Sequence, residues 1–223
     1  IRIIEVKRDG LAELTKVLNS RSKMENSEVI SSVEKIISDV RYEGDKAVCE
    51  YTKRFDRADI DPSCIKVPER QIDLALESVD KNLIEILTKA KDSIMAFHKA
   101  QLTQDVKMDK GDNSTISLIS RPLEIVGVYV PGGTAPLPSS VLMNVIPAKA
   151  AGVKKIIMCT PPSSDGSINP MILAAAKIAG VDEIYRIGGA QAIAAMAYGT
   201  KTVPAVDKIC GICRGAIWGR NRW

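Results

Sequence analysis

The sequence is poor in the residues on which many functions depend. It has one histidine, His98, in 223 residues. A single imidazole removes mechanisms that need a histidine pair, including most zinc sites. Aromatic residues make up only 4%, so aliphatic side chains and alanine must fill the core. No run of about 18 apolar residues occurs, which argues against a membrane span. An excess of charge of one sign is lacking as well. The net charge is +4, and the basic residues are interleaved with acids, so there is no patch for nucleic acid. The stretch HKAQLTQDVKMDK reads as a solvated face rather than such a patch. The opening IRIIEVKRDG becomes charged too early for a signal peptide. No G-x-G-x-x-G occurs, so the usual dinucleotide fingerprint is missing.

Five cysteines are present, at 49, 64, 159, 210 and 213. An odd, scattered set argues against a disulfide framework and fits a reducing cytoplasm. With 45% hydrophobic and 26% charged residues, the chain has the balance of a soluble globular protein.

Residues 1–122 read as a mainly helical region with short strands, part of a first α/β domain. In NSEVISSVEKIISDVRYEGD, Ser27 can cap a helix carrying Val29, Val33, Ile36, Ile37 and Val40 at helical spacing. Gly44 would stop it, and Asp45 would cap the next helix, KAVCEYTKRFD. A short strand, CIKV, precedes Pro68. The helices ERQIDLALESV and NLIEILTKAKDSIMAFHKAQL follow. The second is expected to place Leu83, Ile86, Leu87, Ala90, Ile94 and Phe97 on one face. VKMDKGDNSTISLIS reads as a hairpin turning at Gly111, Asp112 and Asn113.

The character changes near Arg121 and Pro122. Residues 123–209 alternate strand and helix: EIVGVYV, SSVLMNVIPAKAAG, KKIIMCT, NPMILAAAKIAG, DEIYRI, AQAIAAMAYG. Dense β-branched strands separated by helices imply parallel βαβ units. AKAAGV at 148–153 recurs as AKIAGV at 176–181, so Gly152 and Gly180 are expected just past two helix ends. Pro147 is expected to kink or restart its helix. The expected fold class is α/β: a helical N-terminal region followed by a Rossmann-like, doubly wound parallel sheet. Ligands then belong at the carboxyl ends of the strands.

Two strand ends carry candidate chemistry. In YVPGGTAPLPSS, Gly132 and Gly133 bare the backbone before a helix start, a setting suited to a pyrophosphate. In RIGGAQAIAA, Gly188 and Gly189 end a strand and Gln191 lies in the first turn of a helix. Its amide both donates and accepts, which suits a ribose or an amide ligand. The residues alone leave a nucleotide-like anion and plain tight turns equally open. Cys159 reads as a small core residue, and His98 as a surface or half-buried structural one.

VGVYVPGGTAPLPSSVLMNVIPAKAAGVKKIIMCTPP closely resembles the signature region of the histidinol dehydrogenases. EIYRIGGAQAIAAMAYGTKTVPAVDKI looks like its continuation, and VRYEGDKAVCEYTKRFD resembles the family's N-terminal region. The resemblance runs over about residues 27–209. It implies an incomplete form of the histidinol dehydrogenase and aldehyde dehydrogenase-like architecture. It also implies NAD-dependent oxidation of L-histidinol, through the aldehyde, to L-histidine, with zinc holding the substrate and a Glu-His pair moving protons. A cytoplasmic homodimer is implied too. Tyr129 and Gln191 match residues that contact NAD; Gly132, Gly133, Gly188 and Gly189 permit the turns and are expected to bind the cofactor with them.

Residues 210–223, CGICRGAIWGRNRW, depart from the family pattern. The family's Gly-Pro-Gly-Asn turn, its zinc ligands and its Glu-His pair have no counterpart in this sequence, so no catalytic or metal residue is assigned. The tail is expected to be an altered reading frame or an artificial end. Cys210 and Cys213 then form no redox or zinc site. The chain is expected to be inactive alone. The competing reading is a non-catalytic truncated product that binds nucleotide or only associates with a partner chain.

Overall fold

The computed structural model describes residues 11–12, 14–16, 27–132 and 136–211. Helices α1 (Ser27–Glu43) and α2 (Asp45–Asp56) meet at Gly44, whose φ of 61° is a left-handed value that glycine accommodates readily. A short 3₁₀ turn, Pro62–Cys64, leads to α3 (Glu69–Ser78) and α4 (Lys81–Ala100). Strands β1 (Val106–Asp109) and β2 (Thr115–Leu118) form an antiparallel hairpin. The remaining elements alternate: β3 (Ile125–Tyr129), α5 (Pro138–Ala150), β4 (Lys155–Cys159), α6 (Pro170–Ala179), β5 (Glu183–Tyr185), α7 (Gly189–Tyr198) and β6 (Lys208–Gly211).

The last four strands form one parallel sheet in the order β5-β4-β3-β6. The chain steps outward through β3, β4 and β5, then returns to place β6 on the other side of β3. The strand order therefore reverses between β3 and β6, the point at which open α/β sheets bind ligands.

Alternate strand residues serve two cores, as a pleated sheet requires. Val126, Val128, Ile156, Met158 and Ile184 face α3, α4, α5 and α6. Tyr129, Ile157, Cys159 and Tyr185, with Ile187 just past β5, face α1, α2 and α7. Helices from before residue 122 thus share both cores with the strands that follow it. The α/β, Rossmann-like class expected from the sequence is observed, with the sheet covered on both faces.

The local expectations divide according to whether a tertiary contact intervenes. The hairpin turns where expected. Gly152 and Gly180 adopt left-handed φ values of 80° and 84°, as the repeated AGV motif requires. Helix α5 runs through Pro147. The CIKV strand shrinks to a single antiparallel bridge, Lys66 to Tyr185. Val67 donates to the Ile184 carbonyl, but Pro68 has no N–H with which to extend the ladder and starts α3 instead. Asp45 lies inside α2 and does not cap it. Its carboxylate accepts from the Thr202 hydroxyl at 2.6 Å, tying α2 to the segment after α7. On α4 only Leu87 is fully buried, with Leu83, Ala90, Ile94 and Met95 packed beside it. Ile86 and Phe97 face outward, at 61% and 62% exposed.

Candidate functional site at the carboxyl edge of the sheet

The carboxyl ends of β3, β4 and β5 lie side by side, so three loops converge. Tyr129 ends β3 and is buried. The Gly189 N–H donates to its hydroxyl at 3.1 Å, which joins the two strand ends singled out from the sequence. Pro161, just past β4, fills the space between them. A Cβ at Gly132 would lie 2.6 Å from the Pro161 ring, and one at Gly188 2.5 Å from it. Both glycines are therefore needed for close approach. Gly133 lies outside the described residues. At the β3/β6 switch point Gly211 pairs with Tyr129, and a side chain there would strike the Tyr129 carbonyl.

Helix α7 opens directly on this edge. Gly189 turns into it at a φ of 60°. Gln191 lies in its first turn and is fully buried. Its Oε1 sits 2.6 Å from where a Gly189 Cβ would stand. Neither Oε1 nor Nε2 has a hydrogen-bond partner within the protein. A buried amide with its donors and acceptor all unused costs roughly 1–3 kcal/mol per group, and native interiors rarely tolerate it.

A second unpartnered group lies at the same turn. Asp56, the last residue of α2, has a buried Oδ2 with no partner, 3.3 Å from where a Gly188 Cβ would be. Burial raises its carboxyl from the ordinary value to about 6. One helical turn earlier, the Thr52 hydroxyl is also buried and unpartnered. These two residues were missed in the sequence. The available signal was electrostatic, because an acid at the last position of a helix faces the negative end of its dipole. Arg186, by contrast, is largely engaged, donating to the Gly166 carbonyl at 3.1 Å and to Gln71 Oε1 at 2.8 Å.

An open depression of about 490 Å³ lies elsewhere, between the α1–α2 corner and residues 199–201. Its walls carry Arg41, Glu43, Asp45, Lys46 and Lys201. None of the buried unpartnered polar atoms found among the described residues belongs to its lining. The chemical demand sits at the sheet edge.

Residues 19–218 match the family model described as histidinol dehydrogenase. The chain belongs to the histidinol dehydrogenase family. It is 46% identical over 212 residues to the histidinol dehydrogenase of Clostridium acetobutylicum, covering 94% of this chain and 49% of that one. It is 48% identical over 200 residues to the Listeria innocua enzyme, covering 90% and 46%. The crystal structure of histidinol dehydrogenase from Elizabethkingia anophelis is similar at a TM-score of 0.80 and 39% identity, over 85% of this chain and 43% of that one. The chain thus spans about half the length of the curated relatives it matches.

Among the described residues no group of three or more His, Cys, Asp and Glu side chains could hold a metal ion. His98 stacks edge-on against Phe97, with ring centroids 5.5 Å apart, on α4. Cys159 is buried in the sheet and burial pushes its thiol up. Cys210 lies inside β6, paired with Val128, and not at a helix start. Cys213 and the rest of the tail lie outside the described residues. No helix among the described residues is long and apolar enough to cross a membrane.

Proposed function

We propose that this chain binds NAD at the carboxyl edge of its parallel sheet, as the cofactor-binding part of a histidinol dehydrogenase. The observation that carries this reading is Gln191, a fully buried amide with no partner at the first turn of a helix. The residues present fit the cofactor. Gln191 would hydrogen-bond a ribose or carboxamide group with both its donor and its acceptor. The α7 N-terminus offers backbone amides to a pyrophosphate. Gly132 and Gly188 let both loops close down on Pro161, which draws the two strand ends together at this edge. Gly189 belongs to the second of these loops, and Gly133 follows Gly132 in the sequence. Tyr129 positions the Gly189 amide through its hydroxyl and presents its ring at the end of β3.

The whole protein's reaction is NAD-dependent oxidation of L-histidinol to L-histidine through the aldehyde. NAD supplies the hydride acceptor when bound. The residues of this chain bind and orient that cofactor. Those that would hold zinc and move the substrate protons are not among them, so the 223 residues alone are expected not to turn over. The four described cysteines are all free thiols, which favours a reducing, cytoplasmic setting.

A second reading, association with a partner chain, is favoured by one feature. In the β1–β2 hairpin, Val106 lies opposite Leu118 and Met108 opposite Ile116. Directly opposed residues share a face, and all four are more than half exposed. Such a face suits a homodimer contact.

Calorimetric titration with NAD tests the first reading, and NADH absorbance with L-histidinol and zinc tests the second half of it. Binding without turnover is expected. Turnover by the purified chain would contradict the assignment of the chemical step to groups it lacks. Sedimentation of Met108→Lys against wild type tests the hairpin, with loss of a dimer as the expected result.

A further inference from the structure

Asp56 is the acid the established family reading leaves unexplained. It reaches the site from α2, whose side chains pack with α7 on one face of the sheet. Its Oδ2 is buried, accepts from nothing in the protein, and lies at the Gly188 turn. Gln191 stands at the neighbouring Gly189, equally unpartnered. The two groups therefore bracket one glycine pair with complementary chemistry. A carboxylate only accepts hydrogen bonds, while the amide does both. A ligand with two adjacent hydroxyls satisfies that pair: one hydroxyl donates to Asp56, and the other is held by the Gln191 amide. A phosphate satisfies Gln191 but has no proton to give Asp56, and it brings negative charge onto a desolvated anion.

We propose that Asp56 is a recognition residue of this site, accepting a hydrogen bond from a ribose hydroxyl of the dinucleotide and rejecting a phosphate on that ribose. This rests on the cofactor reading above and names the residue that sets the site's choice between NAD and NADP. Burial lifts the carboxyl only to about 6, so near neutral pH it is still mainly an anion, and the acceptor the contact needs. Open α/β sheets use an acid on the ribose in the same chemical sense, from a different place in the chain. Here it comes from a helix that precedes the sheet.

The test is calorimetric titration of the 223-residue chain with NAD and with NADP, on wild type, Asp56→Asn and Asp56→Ser. The readout is the ratio of the two dissociation constants within each protein. Both ligands see the same folded fraction, so the ratio survives partial unfolding of a variant. Wild type is expected to prefer NAD by about tenfold or more, since a like charge at close range costs that much or greater. Both variants are expected to bring the ratio to within about threefold. If both variants keep the wild-type preference and bind NAD unchanged, Asp56 is not a recognition residue, and the Gln191 site stands without it. If folded wild type binds neither dinucleotide, the site reading is overturned and the Asp56 assignment falls with it.

Discussion

Replacing Gln191 by Met separates stability from binding at one position. Met has the length and near volume of Gln but no polar atoms, so it can fill the same space. In the ligand-free protein the Gln191 amide is fully buried and has no partner for either head atom. Leaving such a group unsatisfied costs about 1–3 kcal/mol, and an apolar group of the same shape avoids that. Gln191→Met should therefore stabilise the ligand-free chain by about 1–3 kcal/mol. For a chain of this size that is a Tm rise of about 2–10 °C. Urea unfolding without NAD measures it, with an unchanged m-value as the sign that the two end states are the same. NAD affinity should fall by about tenfold or more, because a charge-free hydrogen-bonding anchor has been removed from the site. Destabilisation of the ligand-free protein by more than about 1 kcal/mol would refute the reasoning. The amide would then already be satisfied within the fold and would not be held for a ligand.

Asp56→Asn should show a related effect with a defined pH dependence. The folded carboxyl is raised to about 6 from an ordinary 3.8, so the fold favours the protonated form. Wild-type stability should fall as pH rises between those values, and the variant should gain about 1–2 kcal/mol above pH 6, after discount for partial exposure. Equal stability of the two proteins from pH 4 to 8 would contradict it. Glu183 runs the other way. Burial alone would raise it, but Lys155, Lys66 and Tyr185 hydrogen-bond it and hold it at about 2. It stabilises the fold above its ordinary value of 4.5 and loses that contribution as pH falls toward 2. Glu183→Gln should cost about 1 kcal/mol at pH 7, after discount for solvent screening, and less below pH 4.5, read by chemical denaturation at each pH. Gly188→Ala should cost about 1–3 kcal/mol and weaken NAD binding. Its φ of −114° suits any residue, so the cost is the clash with the Pro161 Cβ and not backbone strain, and Pro161→Gly, which removes that atom, should recover part of it.

Local rules made the alternating half of the chain legible. Caps, glycine stops and the repeated AGV turn decide where α5, β4, α6 and β5 begin and end, and each signal lies within a few residues of its effect. The hairpin was legible for the same reason. Where a distant partner competes, local reading failed. Asp45 is drawn from a cap to Thr202, and CIKV loses its ladder because its only neighbour is the edge of β5 and Pro68 follows. Ile86 and Phe97 fit helical spacing, but α4 presents only one narrow stripe to the sheet, and they fall outside it. In the candidate site, Tyr129, Gln191 and the glycines carried motif signals. Asp56, Thr52 and Pro161 did not, because each matters only once α2 and the loop after β4 pack against the start of α7. The burial of Gln191 was likewise unreadable, since a glutamine in a first helical turn is ordinarily solvated.

The most direct test is an NMR titration of the ¹⁵N-labelled chain with NAD, following the Gln191 side-chain amide. The account predicts saturable shifts at the Gln191 NH₂ group and at the Gly188 and Gly189 amides, while the hairpin amides of Lys107 and Ser117 stay fixed. Shifts confined to the depression around Arg41, Lys46 and Thr200, with the Gln191 amide unmoved, would contradict it.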